Sequence, residues 1–170
     1  KKIITIPDPI LREKSQAIVN FDNNIKKLMD DMLETMYAAP GIGLAAIQIG
    51  IAKRVIVIDV SKDQKKSPFF FVNPEIIWQS ESRGSYEEGC LSIPNQFALV
   101  ERPEKCKVKY LDYNGQQSIL EAEGILSTCI QHEVDHLNGV LFIDHLSKLK
   151  KSLIEKKASK QKKERESIVV

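Results

Sequence analysis

The residues His132-Glu133-Val134-Asp135-His136 carry the clearest chemistry in this chain. Histidines four apart on a helix sit one turn above each other, so both imidazoles can reach one metal ion. Glu133 is turned about 100° from His132 around the axis. It is placed to address a water near the ion rather than the ion itself. Hydrolytic metal sites need that division of labour: ligands hold the ion, the ion acidifies water, and a carboxylate moves protons. The chain has three histidines, and two of them fall in this pattern. The other, His145, reads as a surface or capping residue near the start of the last helix.

Two histidines do not complete a site, because a catalytic ion usually takes three protein ligands and keeps one position open. Gly139 matches the glycine of a longer metallopeptidase pattern, but the position for its third histidine holds Phe142. The downstream glutamates Glu155, Glu164 and Glu166 belong to a charged tail. Cysteine remains. Cys129 lies three residues before His132 on the same helical face. Cys90 lies in Glu88-Gly89-Cys90-Leu91-Ser92, where a glycine lets backbone approach closely. Spacing alone leaves both cysteines open.

The elements that must position these residues are legible in outline. Ile25, Leu28, Met29, Met32, Leu33, Met36 and Tyr37 recur at helical spacing, with Asp22 or Asn23 as cap and Pro40-Gly41 as stop. Residues 54–60 and 69–72 are β-branched or aromatic and predict strands; 76–80 and 97–101 are weaker candidates. Residues 105–111 alternate lysine with Cys106, Val108 and Tyr110, the pattern of a strand with one wet face. Asn114-Gly115 predicts a hairpin turn before a return strand over 116–122. The histidine-bearing helix then runs from about Gly124 to Asn138 and stops at Gly139. Helices flanking runs of antiparallel strands predict an α+β fold, with the strands packed around the metal-binding helix and a helix at the C-terminus.

At 170 residues the chain is one domain in size. Its 42% hydrophobic and 28% charged residues exclude disordered and collagen-like classes. No apolar run approaches the roughly 18 residues of a membrane span. Three cysteines at irregular spacing suit reduced thiols better than a disulfide framework, and the chain reads as a soluble cytoplasmic monomer. The net charge of +2 conceals an asymmetry: residues 148–166 carry nine Lys and Arg against three Glu, leaving the body acidic. Residues 1–147 therefore read as the catalytic body. Residues 148–170 read as a basic C-terminal helix or tail of the same domain, with Leu146, Leu149, Leu153 and Ile154 as a thin apolar stripe. Such a tail suits contact with the phosphates of an RNA, though it has no aromatics for base stacking.

Three blocks together resemble the bacterial peptide deformylases: Gly41-Ile42-Gly43-Leu44-Ala45-Ala46-Ile47-Gln48, Glu88-Gly89-Cys90-Leu91-Ser92, and Gln131-His132-Glu133-Val134-Asp135-His136-Leu137-Asn138-Gly139. The resemblance implies removal of the N-formyl group from the formyl-methionine of nascent polypeptides. It implies Cys90, His132 and His136 as ligands of one divalent metal ion, iron(II) in cells, with zinc, nickel or cobalt in purified protein. It implies Glu133 as general acid/base, and the Gln48 amide and the Leu91 backbone N–H as donors to the developing oxyanion. Gly43 and Gly89 then flank the substrate backbone, while Ile42 and Cys129 line its side-chain pocket. Leu126, Ile130 and Leu91 are further candidates for that pocket, and Asp135, Glu88 and Arg102 for support behind the ligands. The tail is similar to the C-terminal helix by which some deformylases dock on the ribosome. The alternatives are a broader metallopeptidase, or a non-enzymatic module whose structural metal recruits Cys129 or Cys106 as a fourth ligand.

Overall fold

The computed structural model describes residues 1–62 and 65–168, with side chains through residue 166. Among these residues three α-helices form: α1 Asn23–Ala38, α2 Gly124–Leu137 and α3 Lys148–Ile168. Seven strands are β1 Gly43–Ala45, β2 Val55–Ile58, β3 Phe69–Gln79, β4 Arg83–Cys90, β5 Ile93–Pro103, β6 Lys105–Leu111 and β7 Gln117–Glu123. β1-β2-β3-β6-β7 make an antiparallel five-stranded sheet, and β4-β5 a separate hairpin. The α+β expectation holds.

Alternation along β2 explains the layering. Successive side chains of a strand point to opposite faces. Val55 and Val57 enter the core under α1, while Ile56 and Ile58 enter the core under α2. All four are buried, which is why this strand reads as a continuous apolar run. The methionines of α1 fill the first core: Met29, Met32 and Met36 are fully buried against Leu44 and Val72. Asp22 caps α1 by accepting from Asn24 N and Ile25 N. Ile130, Val134 and Leu137 of α2 face Phe71, Val108 and Ala122 of the sheet. The site helix is thus clamped centrally, and its opposite face is left for chemistry.

Three features differ from the sequence reading. The two short strands expected over 69–72 and 76–80 are one strand, β3, whose register against β6 shifts at two places. β4 was not legible because Arg-Gly-Ser-Tyr-Glu-Glu-Gly carries no apolar alternation; the hairpin presents much of this strand to solvent. In α3 the apolar stripe divides. Ile154 and Ala158 are buried in a third core with Val100, Leu141 and Phe142, whereas Leu149 and Leu153 are exposed. The last two residues of the expected tail, 169 and 170, lie outside the described residues.

Candidate metal centre

α2 places His132 and His136 on one face, with ring centroids 5.1 Å apart. Cys90 arrives from the far end of β4, where a register shift at Gly89/Cys90 breaks the ladder just before the Leu91-Ser92 turn. Bulges often re-aim a side chain in this way. Cys90 Sγ lies 3.3 Å from His136 Nε2, and the three potential ligand atoms are all within 4.8 Å of one another. Both histidines are buried. A thiolate with two imidazoles is a fitting donor set for zinc, iron, nickel or cobalt, and three protein donors leave a position open for substrate. Among the described residues, neither Cys129 nor Cys106 joins this group; Cys106 is buried beneath α2 in the sheet core. A closed, four-ligand structural site is therefore disfavoured.

His132 is oriented from behind. Its Nδ1 bonds Glu88 Oε1 at 2.9 Å, which leaves Nε2 for an ion. Glu88 is held in turn by Arg102 through two bonds of 2.7 and 3.1 Å, and Arg102 reaches Asp135 at 2.9 Å. The expected support by Glu88, Arg102 and Asp135 is thus one connected chain. Burial works against charge on Glu88, but His132 and Arg102 outweigh it and hold its carboxyl below the usual range. Burial likewise opposes charge on His132, yet Glu133, Cys90 and Glu88 draw its pKa well above the ordinary imidazole value. Burial and the nearby positive groups push His136 well below it.

Glu133 stands beside the ligands, with Oε2 4.0 Å from His132 Nε2. Its Oε1 is buried with no hydrogen-bond partner in the protein. Burial pushes its pKa up to about 7, with His132 opposing and Glu88 adding. A carboxyl poised near neutrality suits proton transfer in either direction. Gly43 is required by this arrangement: a Cβ there would sit 2.5 Å from Glu133 Oε2 and 2.9 Å from Cys129 Sγ. Gln48 lies on a 3-10 turn, Ala46–Ile49, directly after β1. Its Oε1 accepts from Ala45 N, and its Nε2 donates to Ser92 Oγ at 3.0 Å and faces Cys90 Sγ at 3.6 Å. The amide is thereby locked with nitrogen toward the ligand. The segment Ile4–Ile6 binds both supports, with Ile4 N donating to Gln48 O and Ile6 N to Ser92 O.

Two hollows meet here. A cleft of about 540 Å³ runs along Pro40–Gly43, Gln48 and Gly89–Leu91, and ends at Phe97. A smaller cavity of about 110 Å³ is walled by Ile42, Tyr86, Ile125, Thr128, Cys129 and His132. Ile42 and Gly89 border both. Leu126 and Ile130 are not among the walls of the smaller cavity: both turn toward the sheet core, displaced from Cys129 by about 60° and 100° in the same sense around the axis. The walls missed by sequence reasoning are Tyr86, Ile125 and Thr128. Their signal was present, since 125, 128 and 132 share a helical face and Tyr86 shares a strand face with Glu88 and Cys90. Ser92 was also missed as a partner of Gln48. His145 is exposed, as expected, but does not cap α3. Ser147 does so by accepting from Lys150 N, and His145 instead bonds Asp135.

An α+β domain with an HExxH helix, a distant cysteine and a buried carboxylate defines a metallohydrolase-type centre. The comparisons place it within that class. The polypeptide deformylase family model matches residues 1–152, and the chain belongs to that family. It is 60% identical over 166 residues to a peptide deformylase of Pelagibacter ubique, covering 97% of this chain and 96% of the relative. It is 54% identical to the enzyme of Rhizobium meliloti, covering 97% and 95%. Among solved structures, the Ehrlichia chaffeensis peptide deformylase in complex with actinonin superposes with a TM-score of 0.90 at 42% identity, covering 94% and 95%. The Legionella pneumophila enzyme gives 0.91 at 43%, covering 97% and 96%.

Proposed function

We propose that this chain is a peptide deformylase: a metal-dependent hydrolase that cleaves the N-formyl group from the formyl-methionine of nascent polypeptides, leaving formate and a free amine. The observation that carries the reading is the buried Glu133 carboxylate, with Oε1 unpartnered, beside the Cys90/His132/His136 cluster, whose Cys90 lines the cleft and whose His132 lines the smaller cavity.

Cys90, His132 and His136 hold the ion, which when bound polarises the formyl carbonyl and acidifies water. Glu133 takes the proton of the attacking water and returns it to the nitrogen as the C–N bond breaks. Gln48 Nε2 and the Leu91 backbone N–H donate to the oxygen that gains charge. Among the described residues β1 pairs only with β2, so its other edge is open for an extended peptide to add as a strand. The methionine side chain enters the 110 Å³ cavity against Ile42 and Cys129, while Gly43 and Gly89 let the peptide backbone lie close to the ion.

Iron(II) is the ion assigned in cells, and zinc, nickel or cobalt can occupy the same donor set. The protein works as a cytoplasmic monomer, and among the described residues no helix is long and apolar enough to cross a membrane. The basic α3 supplies the contact with the ribosome.

The test is formate release from a short formyl-methionyl peptide under anaerobic conditions, since a thiolate-bound iron is oxidisable. Iron- or nickel-loaded wild type releases formate, and Glu133→Ala, still metal-loaded, does not. A folded, loaded wild type that releases none, or that cuts unformylated peptides as fast, overturns the reading.

A further inference from the structure

The hydrogen-bonded chain behind His132 continues past Asp135. Asp135 Oδ2 accepts from Arg102 Nη1 at 2.9 Å and from His145 Nε2, also at 2.9 Å. His145 thus closes a path of five side chains: His145, Asp135, Arg102, Glu88 and His132. We propose that His145 is a positioning residue for the metal centre, fixing Asp135 and, through Arg102 and Glu88, the ring of His132. The inference rests on the deformylase reading for its kinetic readout alone.

The coupling is geometric. Glu88 Oε1 accepts from both Arg102 Nη2 and His132 Nδ1, so a pivot of the guanidinium moves the oxygen that orients the imidazole. Arg102 is buried, its side chain only 5% exposed, and its fork is fixed by Glu88 on one side and Asp135 on the other. Asp135 is the loose member, at 24% exposure. Without a second partner its carboxylate would turn to solvent and release one prong of the fork. A carboxylate only accepts, so His145 must carry its proton on Nε2 to bind it.

His145 is delivered by a rigid element. It ends a 3-10 turn, Phe142–His145, whose Phe142 and Ile143 are buried. Asp144 in that turn binds Arg12 at 2.6 Å, Lys151 at 2.8 Å and the Leu141 N–H at 3.0 Å. A second contact arrives at the same place independently: the Phe142 ring lies nearly parallel to that of His132, with centroids 6.1 Å apart. One turn therefore backs the ligand twice, through packing and through the polar chain.

The experiment compares His145→Phe and His145→Gln with wild type in the cobalt-loaded protein. It reads the visible absorption bands, the rate of metal loss to a chelator, thermal stability, and kcat and KM on a formyl-methionyl peptide. Direct partners of metal-bound histidines are worth about 10–100-fold in metal affinity, so a residue acting through them should be worth less. In His145→Phe the bands shift, metal loss accelerates roughly 3- to 10-fold and kcat falls about as much, with KM and Tm essentially unchanged. His145→Gln, which keeps a donor, restores all three. The double variant with Asp135→Asn loses no more than Asp135→Asn alone, as expected for two residues on one path. Wild-type bands and metal retention in His145→Phe overturn the proposal, as do failure of rescue by glutamine or additive losses in the double variant. A wild type that releases no formate overturns the deformylase reading instead, while the spectral and chelator readouts still judge His145.

Discussion

At the scale of single residues, the site is defined as much by what is missing as by what is present. Gly43 has no side chain because the Glu133 carboxylate and the Cys129 thiol already fill that space. Gly43→Ala should therefore displace Glu133 without touching a metal ligand. We expect kcat/KM to fall by at least about 100-fold with metal content unchanged, since misplacing a reacting group by an ångström costs on that order. Steady-state kinetics with metal analysis checks this; near wild-type turnover would mean that Glu133 is not held where its burial indicates. Burial and the charge of Glu133 raise the pKa of the Cys129 thiol above the free value, which favours the neutral thiol over the thiolate. The residue types at 132, 133 and 136 announced their chemistry in the sequence. The choice between Cys90 and Cys129 was not open to spacing arguments, because it depends on where a hairpin 46 residues before His136 folds back.

Among elements, the 3-10 turn after α2 is the fastener of the site. It joins the N-terminal segment to α3 through Asp144, which binds Arg12 and Lys151, and reaches α2 through His145 on Asp135 and Phe142 on His132. Burial opposes charge on Asp144, but Arg12, Lys151 and the Leu141 N–H outweigh it and lower its pKa to about 2. A carboxyl with a depressed folded pKa contributes stability that is present above its unfolded value and lost as pH falls through the folded one. Asp144→Asn should therefore destabilise the protein near neutral pH and flatten the decline of stability between pH 3.8 and about 2. Urea titrations across that range read the slope, and an unchanged slope would contradict the ion pairs. The turn was missed in the sequence because four residues offer no periodicity. α1 was legible because burial on one face imposes a 3.6-residue repeat that survives without tertiary information, whereas α2 is buried on nearly all sides and was marked by its histidine spacing. Gly139 could also be read as the stop of α2; at φ +76 it accepts a conformation that side chains resist.

For the whole molecule, the question is where the catalytic body ends. Charge alone divides the chain at residue 148, but packing does not. Ile154 and Ala158 are buried with Val100 and Phe142, so packing against the body continues through the first half of α3. Removing residues 148–170 should cost at least the roughly 2–5 kcal/mol of one buried isoleucine, lowering Tm by roughly 5–15 °C. Removing residues 161–170 should leave Tm within about 2 °C. Both truncations should weaken ribosome binding, and full-length affinity should fall steeply with salt as phosphate contacts are screened. Equal melting temperatures for the two truncations would restore a boundary at 148; salt-independent binding would remove the polyanion contact.

The sequence by itself determined what is local: the face shared by His132 and His136, a cap at Asp22 or Asn23, the Asn114-Gly115 turn and the alternation of β6. Helix and strand geometry set these within a few residues, whatever lies beyond. Tertiary structure decided what is distant. It brought Cys90 to the histidines, turned Ile130 to the core and Ile125 to the cavity, and set Tyr86 opposite Thr128. It also ran the support of His132 out to His145. Those contacts depend on closing long loops and on which face each element buries, and a side chain's position in the chain carries no record of either.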